Sequence, residues 1–412
     1  MAQLSDDCFA VGGSLLGIDA ARAMIFERVV PVAGIERVPL RQSLGRTLAE
    51  DIAAPINVPG YDNSAVDGYA VRFDDLDPAR PTILRCVDRI AAGHDPAGAL
   101  VPGIAARIFT GAILPEGADA VIMQEDCEHD GDRVTIRPGI KRGANTRLAG
   151  EDVAHGALAL TAGRRLGPGD LGLLAALGFV EVPVRRKLVV ALLSTGDEVR
   201  EPGELLRRGQ IHDANRYILA GMLERLGIDV SDRGIVRDDP ARLNDALQRA
   251  AAESDLIITS GGVSTGEEDH VRTAIANHGS LYFWRLAIKP GRPVAMGQIG
   301  ATPLAGLPGN PVAALLTFAL VARPMIEALG AATPYVAKRF RVVSDFAYKK
   351  KTGRREYVRA SLEGNKARRY HKEGAGMLTS LTETDGLVEL PEEVTRLEPG
   401  AEVDFIPYSE LI

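Results

Sequence analysis

Residues 255–270 read DLIITSGGVSTGEEDH, and the order of residue types within them decides the fold. The apolar run Leu256-Ile257-Ile258 is short and bounded by turn formers, which predicts a buried strand. Gly261 and Gly262 end that strand. Glu267, Glu268 and Asp269 then open a helix, where carboxylates meet the positive end of its dipole. A glycine loop between strand and helix usually turns bare N–H groups toward a phosphate. The acids that follow would repel one. That conflict needs a chemical resolution.

Outward from this stretch the same alternation repeats. Strand KLVVALLST (187–195), helix NRYILAGMLERLG (215–227), strand IDVSDRGIV (228–236) and helix PARLNDALQRAAAES (240–254) precede it. A further helix, strand TPLAGL (302–307) and helix PVAALLTFALVARPMIEAL (311–329) follow it. Alternating β and α predicts a doubly wound parallel sheet, whose ligands bind beyond the carboxyl ends of its strands.

The flanking segments differ. Apolar residues at helical spacing predict a helix over Ile18–Val30, and GPGDLGLLAALGFVEVPV (167–184) returns to helix, expected to pack against the first. Between them lie short β-prone runs, TILRCVDRI, ARIFTG, DAVIMQED and RVTIRPG, broken by Gly and Pro. The expected class is therefore multidomain α/β. A helical N-terminal and linker domain spans 1–52 and 146–181, and an inserted β-rich lobe spans 53–145. The α/β domain covers 182–330 and a small all-β, barrel-like domain covers 331–412.

Composition narrows the function. The chain has 412 residues, 46% hydrophobic and 25% charged, with a formal net charge of −7, which is ordinary for a soluble globular protein. It lacks the basic footprint of a nucleic-acid binder. MAQLSDDCFAVGG at the start is not laid out as a signal peptide, and the apolar stretch Val312–Ala322 is too short to span a bilayer. Cys8, Cys86 and Cys127 suggest neither a disulfide framework nor a CxxC metal site. No membrane partner and a reduced, cytoplasmic setting are expected.

Three loops should meet at one sheet edge: Ser194-Thr195-Gly196-Asp197-Glu198, Ser260 to Gly266 with Ser264 between, and Leu307-Pro308-Gly309-Asn310-Pro311. Each alone is compatible with a tight turn; together they suggest an anion site, with Asn310 as N-cap and Pro311 as first helical residue. No Gly-Lys-Ser/Thr or GxGxxG follows, which argues against an ordinary ATPase or a nicotinamide enzyme. IKPGRP (288–293) suits a type II turn with Lys289 and Arg292 at its ends, fixed close enough to want an anion between them. Asp197, Glu198, Asp213 and Asp238-Asp239 are expected near the same edge. So many carboxylates beside a phosphate imply an intervening divalent cation, and Mg²⁺ takes one or two carboxylates plus phosphate oxygens. The glycines would address the phosphate and the acids its metal.

DNSAVDGYAVR (62–72), FTGAILPEGADAVIMQED (109–126), NTRLAGEDV (145–153), LLSTGDEV (192–199), SGGVSTGEED (260–269), LAIKPGRP (286–293) and GLPGNPVAALLTF (306–318) occur in that order. Together they resemble the molybdopterin molybdenumtransferases of the MoeA type, related to the gephyrin E domain, over nearly the whole chain. The resemblance implies that molybdate is inserted into adenylylated molybdopterin with Mg²⁺, and that the pyrophosphate bond is hydrolysed to release AMP. It implies a homodimer sharing its cleft between subunits, and admits contacts with the adenylyltransferase and with molybdoenzyme chaperones.

Carried over by position, the resemblance assigns Asp67 and Asp152 to reach across the dimer and Glu198, Asp238 and Asp269 to metal or water, Glu198 and Asp269 as metal ligands. Lys289 and Arg292 would face oxyanions and Arg354 would help hold molybdate. Thr110, Thr195, Gly196, Gly261, Gly262, Ser264, Gly266, Pro308, Gly309 and Asn310 would line the substrate site. Arg292 stands where many relatives have Lys, and Ala313 and Ala375 where many have Ser, which leaves the choice between molybdate and tungstate open. The alternatives are the adenylyltransferase step, which needs only the α/β domain, and a non-catalytic scaffold, which has no need of an ion-binding edge.

Overall fold

The computed structural model describes residues 15–261 and 279–411. Its centre is a six-stranded sheet built from β1 (Val189–Thr195), β2 (Asp229–Val236), β3 (Leu256–Ser260), β4 (Gly279–Arg285), β5 (Pro293–Ile299) and β6 (Thr302–Leu307). The strand order is β2-β1-β3-β6-β5-β4. β1, β2, β3 and β6 run parallel, whereas β5 pairs antiparallel with both β6 and β4. The sheet is thus mixed, and the expectation of a parallel sheet holds for four strands. β4 and β5 escaped the sequence reading. Ile299 pairs with Thr302 across Gly300-Ala301, with Gly300 at a φ of 57°, so β5 and β6 form a tight hairpin; the helix expected to open at Glu267–Asp269 lies outside the described residues.

Alternation along β1 shows why both faces are covered. Val190 and Leu192 enter one core with Leu219, Met222 and Leu223 of helix α3 (Asn215–Arg225). Ala191 and Leu193 enter a second core with Leu243 and Leu247 of α4 (Pro240–Glu253). Strands buried on both faces read as continuous apolar runs, as β1 and β3 do. α4 starts at Pro240, and the Arg242 N–H donates to the Asp239 carboxylate at 2.9 Å, a side-chain cap. The 19-residue helix Pro311–Leu329 carries only Arg323 and Glu327 as charges, and 83% of its most apolar stretch is buried inside the protein, so it is a core helix. It runs as Pro311–Thr317, a π turn over Phe318–Ala322, and Arg323–Leu329.

The helix near the N-terminus, α1 (Ile18–Arg28), does not pack with helix α2 (Pro168–Ala176) as expected. Its buried Ile18, Ala21 and Ile25 join the core of the α/β unit, beside Val321 and Met325. Leu174 of the second helix packs instead with Val38, Leu48, Val182 and Val184. The strands Ile35–Pro39 and Glu181–Arg185 pair antiparallel there and give that helix its own small core. Spacing reveals an apolar face but not its partner.

Two further β units complete the chain. In the first, Gly68–Val71 lies between Ala120–Met123 and Ile104–Ile108 in a six-stranded sheet. In the second, Phe340–Ser344, Arg355–Glu363, Lys366–Arg369, Gly386–Leu390 and Glu402–Pro407 close into a five-stranded barrel around Val358, Val388 and Phe405. The short strand Ile288–Lys289, between β4 and β5, pairs in parallel with Arg355-Glu356 of the barrel. This pairing brings a lysine of the α/β unit against the barrel.

Removing apolar volume from the helix Ile18–Arg28 tests its assignment to the α/β core. Ile25→Ala is expected to cost about 2–5 kcal/mol, read as a lower urea midpoint. A loss below about 0.5 kcal/mol would show that the helix is not packed there.

Candidate active site

Backbone contacts draw the three glycine loops together. Gly261 has a φ of 84°, and a Cβ there would lie 2.7 Å from the Thr195 carbonyl oxygen, so only glycine fits. The Gly261 N–H donates to the Leu307 carbonyl at 3.2 Å. Asn215, at the start of α3, donates its side-chain amide to Ser260 Oγ and to the Gly309 carbonyl, each at 2.8 Å. It staples the second loop to the third, and nothing in its sequence context singled it out.

Among the described residues, buried polar atoms at this edge lack partners: Ser194 Oγ, Thr195 Oγ1, Thr259 Oγ1 and Asn215 Oδ1. Orphaned buried polar atoms are costly. Four at one sheet edge fit a ligand that supplies the missing bonds. Asn310 sits at the helix N-cap position ahead of Pro311, but its side chain makes no capping bond. It too is free to meet a ligand.

The acids separate into two groups. Asp213 is buried and accepts from Arg216 Nε at 3.0 Å; Arg216 also binds Glu201 and Asp232. Asp239 caps α4. These two, expected near the metal, are structural. Glu198 remains, its carboxylate tucked so close under Gly196 (φ 136°) that a Cβ there would meet it at 2.5 Å. Asp238 Oδ2 accepts from the Asp197 N–H at 3.2 Å. Among the described residues, no three metal-binding side chains cluster. Asp269, Gly262, Ser264 and Gly266 lie outside the described residues.

A cavity of about 200 Å³ lies where the α/β unit meets the barrel, lined among others by Lys289, Tyr348, Arg359, Arg369, Tyr370, Lys372 and Ala375. One buried carboxylate organises its edge. Glu356 is 1% exposed and accepts from the Tyr348 hydroxyl at 2.8 Å and from Arg354 Nε at 2.7 Å, with Lys289 Nζ at 3.3 Å. Burial opposes its charge, yet the Tyr348 hydroxyl and the Lys289 ammonium hold its pKa below the ordinary carboxylate value. Burial likewise works against Lys289, but its bond to Tyr348 and the charge of Glu356 raise it overall. Arg354 therefore pairs with Glu356 at the cavity's margin and does not line it. Arg359, missed in the sequence, does, anchored by bonds to the Gly374 carbonyl and Ser380 Oγ, both 2.8 Å. Burial lowers its pKa.

The glycine edge and the cation cavity adjoin one another. The Val312 N–H donates to the Ala375 carbonyl at 3.0 Å, so the barrel loop behind the cavity touches the helix that begins at Asn310-Pro311. Gly291 (φ 96°) packs on the same helix, where a Cβ would lie 2.6 Å from Thr317 Cγ2 and 3.5 Å from the Ala313 carbonyl. The Lys289–Pro290 bond is cis, which the expected type II turn did not include. Arg292 is exposed and points no charge into the cavity lining. Asp67 accepts from the Thr110 N–H at 2.8 Å and hydroxyl at 2.7 Å, and these bonds lower its pKa. It and Asp152 lie in the region of the inserted lobe, with no bond to the glycine edge among the described residues.

Comparison with known proteins follows this geometry. Residues 16–178 match the MoeA N-terminal region (domain I and II), 191–328 a probable molybdopterin binding domain, and 341–408 the MoeA C-terminal region (domain IV). The chain is 37% identical over 405 residues to a molybdopterin molybdenumtransferase of Haemophilus influenzae, covering 97% of this chain and all of that protein. It is 37% identical over 379 residues to molybdopterin molybdenumtransferase 2 of Mycobacterium tuberculosis, covering 89% and 93%. The crystal structure of a molybdopterin biosynthesis MoeA protein from Pyrococcus horikoshii superposes with a TM-score of 0.82 at 30% identity, covering 96% of this chain and all of that one.

The lowered pKa of Glu356 fixes a sign for stability. A carboxylate whose folded pKa is depressed adds stability above its unfolded pKa and loses it as pH falls through the folded value. Glu356→Gln is therefore expected to lower the denaturation midpoint at about pH 7, with the deficit shrinking toward about pH 3. A deficit independent of pH would contradict this role.

Proposed function

Because the chain belongs to the MoeA family of molybdopterin molybdenumtransferases, enzymes of molybdenum cofactor biosynthesis, we propose that its glycine edge and cation cavity bring together the two anions of that reaction. The substrate in this reading is adenylylated molybdopterin. Its pterin-side phosphate lies on Thr195, Gly196, Gly261, Gly262, Ser264 and Gly266, with Pro308, Gly309 and Asn310 on the far side. Molybdate enters the cavity beside Lys289, Arg359 and Lys372. The adjacency of edge and cavity, through the Val312–Ala375 bond, carries this reading.

Bringing a dianion up to an anionic substrate is unfavourable in water. Cations already fixed in a partly closed cavity lower that cost without reorganising during the reaction. Lys289 and Arg359 would hold the molybdate oxygens; Arg354 acts through Glu356, keeping Lys289 in place, and exposed Arg292 supplies charge at the entrance. The missing hydroxyls at Ala313 and Ala375 remove neutral hydrogen bonds from this wall and leave its charge intact.

Glu198 and Asp238, with Asp269, suit Mg²⁺ held jointly with phosphate oxygens, since that ion needs few protein ligands; it would neutralise charge on the pyrophosphate. A carboxylate of this set orients the attacking oxygen as the pyrophosphate bond breaks and AMP leaves. We assign the Asp67–Thr110 pair and Asp152 to the second subunit's contribution in a homodimer. A cytoplasmic location, and contacts with the enzyme that adenylylates the substrate and with molybdoenzyme chaperones, belong to the same proposal.

Lys289→Ala and Arg359→Ala should each raise the molybdate concentration for half-maximal AMP release by about 10–100-fold, while binding of adenylylated molybdopterin changes little. Unchanged molybdate dependence in both would remove the cavity from the reaction. Glu198→Ala should abolish most Mg²⁺-dependent AMP release, and undiminished release would remove Glu198 from the mechanism.

A further inference from the structure

A second, larger cavity lies at the opposite end of the central strands. Its volume is about 740 Å³, within the range of sites that hold small organic ligands. Leu188, immediately before β1, lines it, whereas Thr195 at the other end of that strand belongs to the glycine edge. At about 3.3 Å per residue the two sites lie some 20 Å apart. Three parts of the chain meet here: the lower edge of the α/β unit, the linker around Gly163–Arg165 and Arg185–Lys187, and the segment Ala332–Lys338 that leads into the barrel.

Its charge is the unusual feature. Several of its cations are already paired: Arg46 with Glu36, Arg164 with Asp170, Arg186 with Asp255, Arg323 with Glu327, and Lys187 with Asp229 at 3.4 Å. Arg165, Arg185 and Lys338 have no carboxylate within ion-pair distance among the described residues. Arg165 reaches only the Arg225 carbonyl, at 3.0 Å. Arg185 Nη1 reaches the Ala33 carbonyl at 3.3 Å, and its Nε is buried without a partner. Desolvation, and then the nearby charge of Arg323, press the Arg165 pKa down. Unpaired guanidiniums gathered on rigid backbone repel one another unless an anion lies between them. Guanidinium forks match phosphate oxygens in pairs. Leu188, Leu226 and Ile326 supply an apolar wall opposite.

We propose that this cavity binds an organic phosphate of nucleotide size, with the phosphate among Arg165, Arg185 and Lys338 and the organic body against Leu188, Leu226 and Ile326. Bound there, the ligand bridges the linker, the α/β unit and the lead into the barrel. It therefore touches the two joints on which the relative placement of these units depends.

The test is hydrogen exchange on the full chain, with AMP and inorganic phosphate as separate probes at millimolar concentration. AMP should slow exchange in residues 161–165 and 332–338, apart from any effect at the glycine edge, and the protection should weaken with added salt. Arg165→Ala should weaken AMP binding read at these segments at least about tenfold, and leave protection at 194–198 unchanged. Lys289→Ala should leave the 161–165 and 332–338 signal intact. No protection there by either probe would overturn the proposal, as would protection undiminished in both Arg165→Ala and Lys338→Ala. Inorganic phosphate protecting these segments as strongly as AMP would overturn the role of the apolar wall.

Discussion

One buried carboxylate holds the candidate site together. Cations that line a small cavity repel each other, and a protein can gather them only around an anion or a ligand. Glu356, almost wholly inaccessible, supplies that anion: Tyr348 and Arg354 donate to it and Lys289 lies within ion-pair reach. The same residue sits where Ile288–Lys289 pairs with the barrel strand. A single contact thus fixes a side chain's charge and the docking of two units.

The glycine edge works by the opposite means. Among its described residues are several hydrogen-bonding groups without partners, beside the carboxylates of Glu198 and Asp238. Gly261 lets its loop press against the Thr195 carbonyl, and Asn215 ties that loop to Gly309. Among the described residues, the buried hydroxyls of Ser194, Thr195 and Thr259 have no partners. Preorganised donors that cost stability in the free protein are what an anion site requires. Across the Val312–Ala375 bond lies the cation cavity, so one wall offers dipoles and the other offers charge.

Much of this was legible in the sequence, and what was not has physical reasons. Strands β1, β3 and β6 announced themselves as apolar runs ending in Gly or at a loop, and β2, with its polar Asp229, Ser231, Asp232 and Arg233, as an extended segment between two helical ones. A run buried on both faces looks alike whether parallel or antiparallel, so the β4–β5–β6 meander went unread. Lys289 was visible through its turn; Glu356, the group that makes it useful, was one acid among many. Arg354 precedes the barrel strand Arg355–Glu363, in which Arg359 lies. Only Arg359 lines the cavity. Asp213 was counted among metal acids, although Arg216 stands three residues on, the spacing of a helical ion pair. The Asn215 staple left no signal at all, because its partners are distant in sequence.

Charge compensation by Glu356 leaves a cation-lined cavity next to the glycine edge, suited to an oxyanion. Anomalous diffraction at the molybdenum edge, from crystals of the protein soaked in molybdate, tests it most directly. A molybdenum peak is expected between Lys289, Arg359 and Lys372, in contact with the loop at Ala375. A peak confined to any other surface, with this cavity empty, would contradict it.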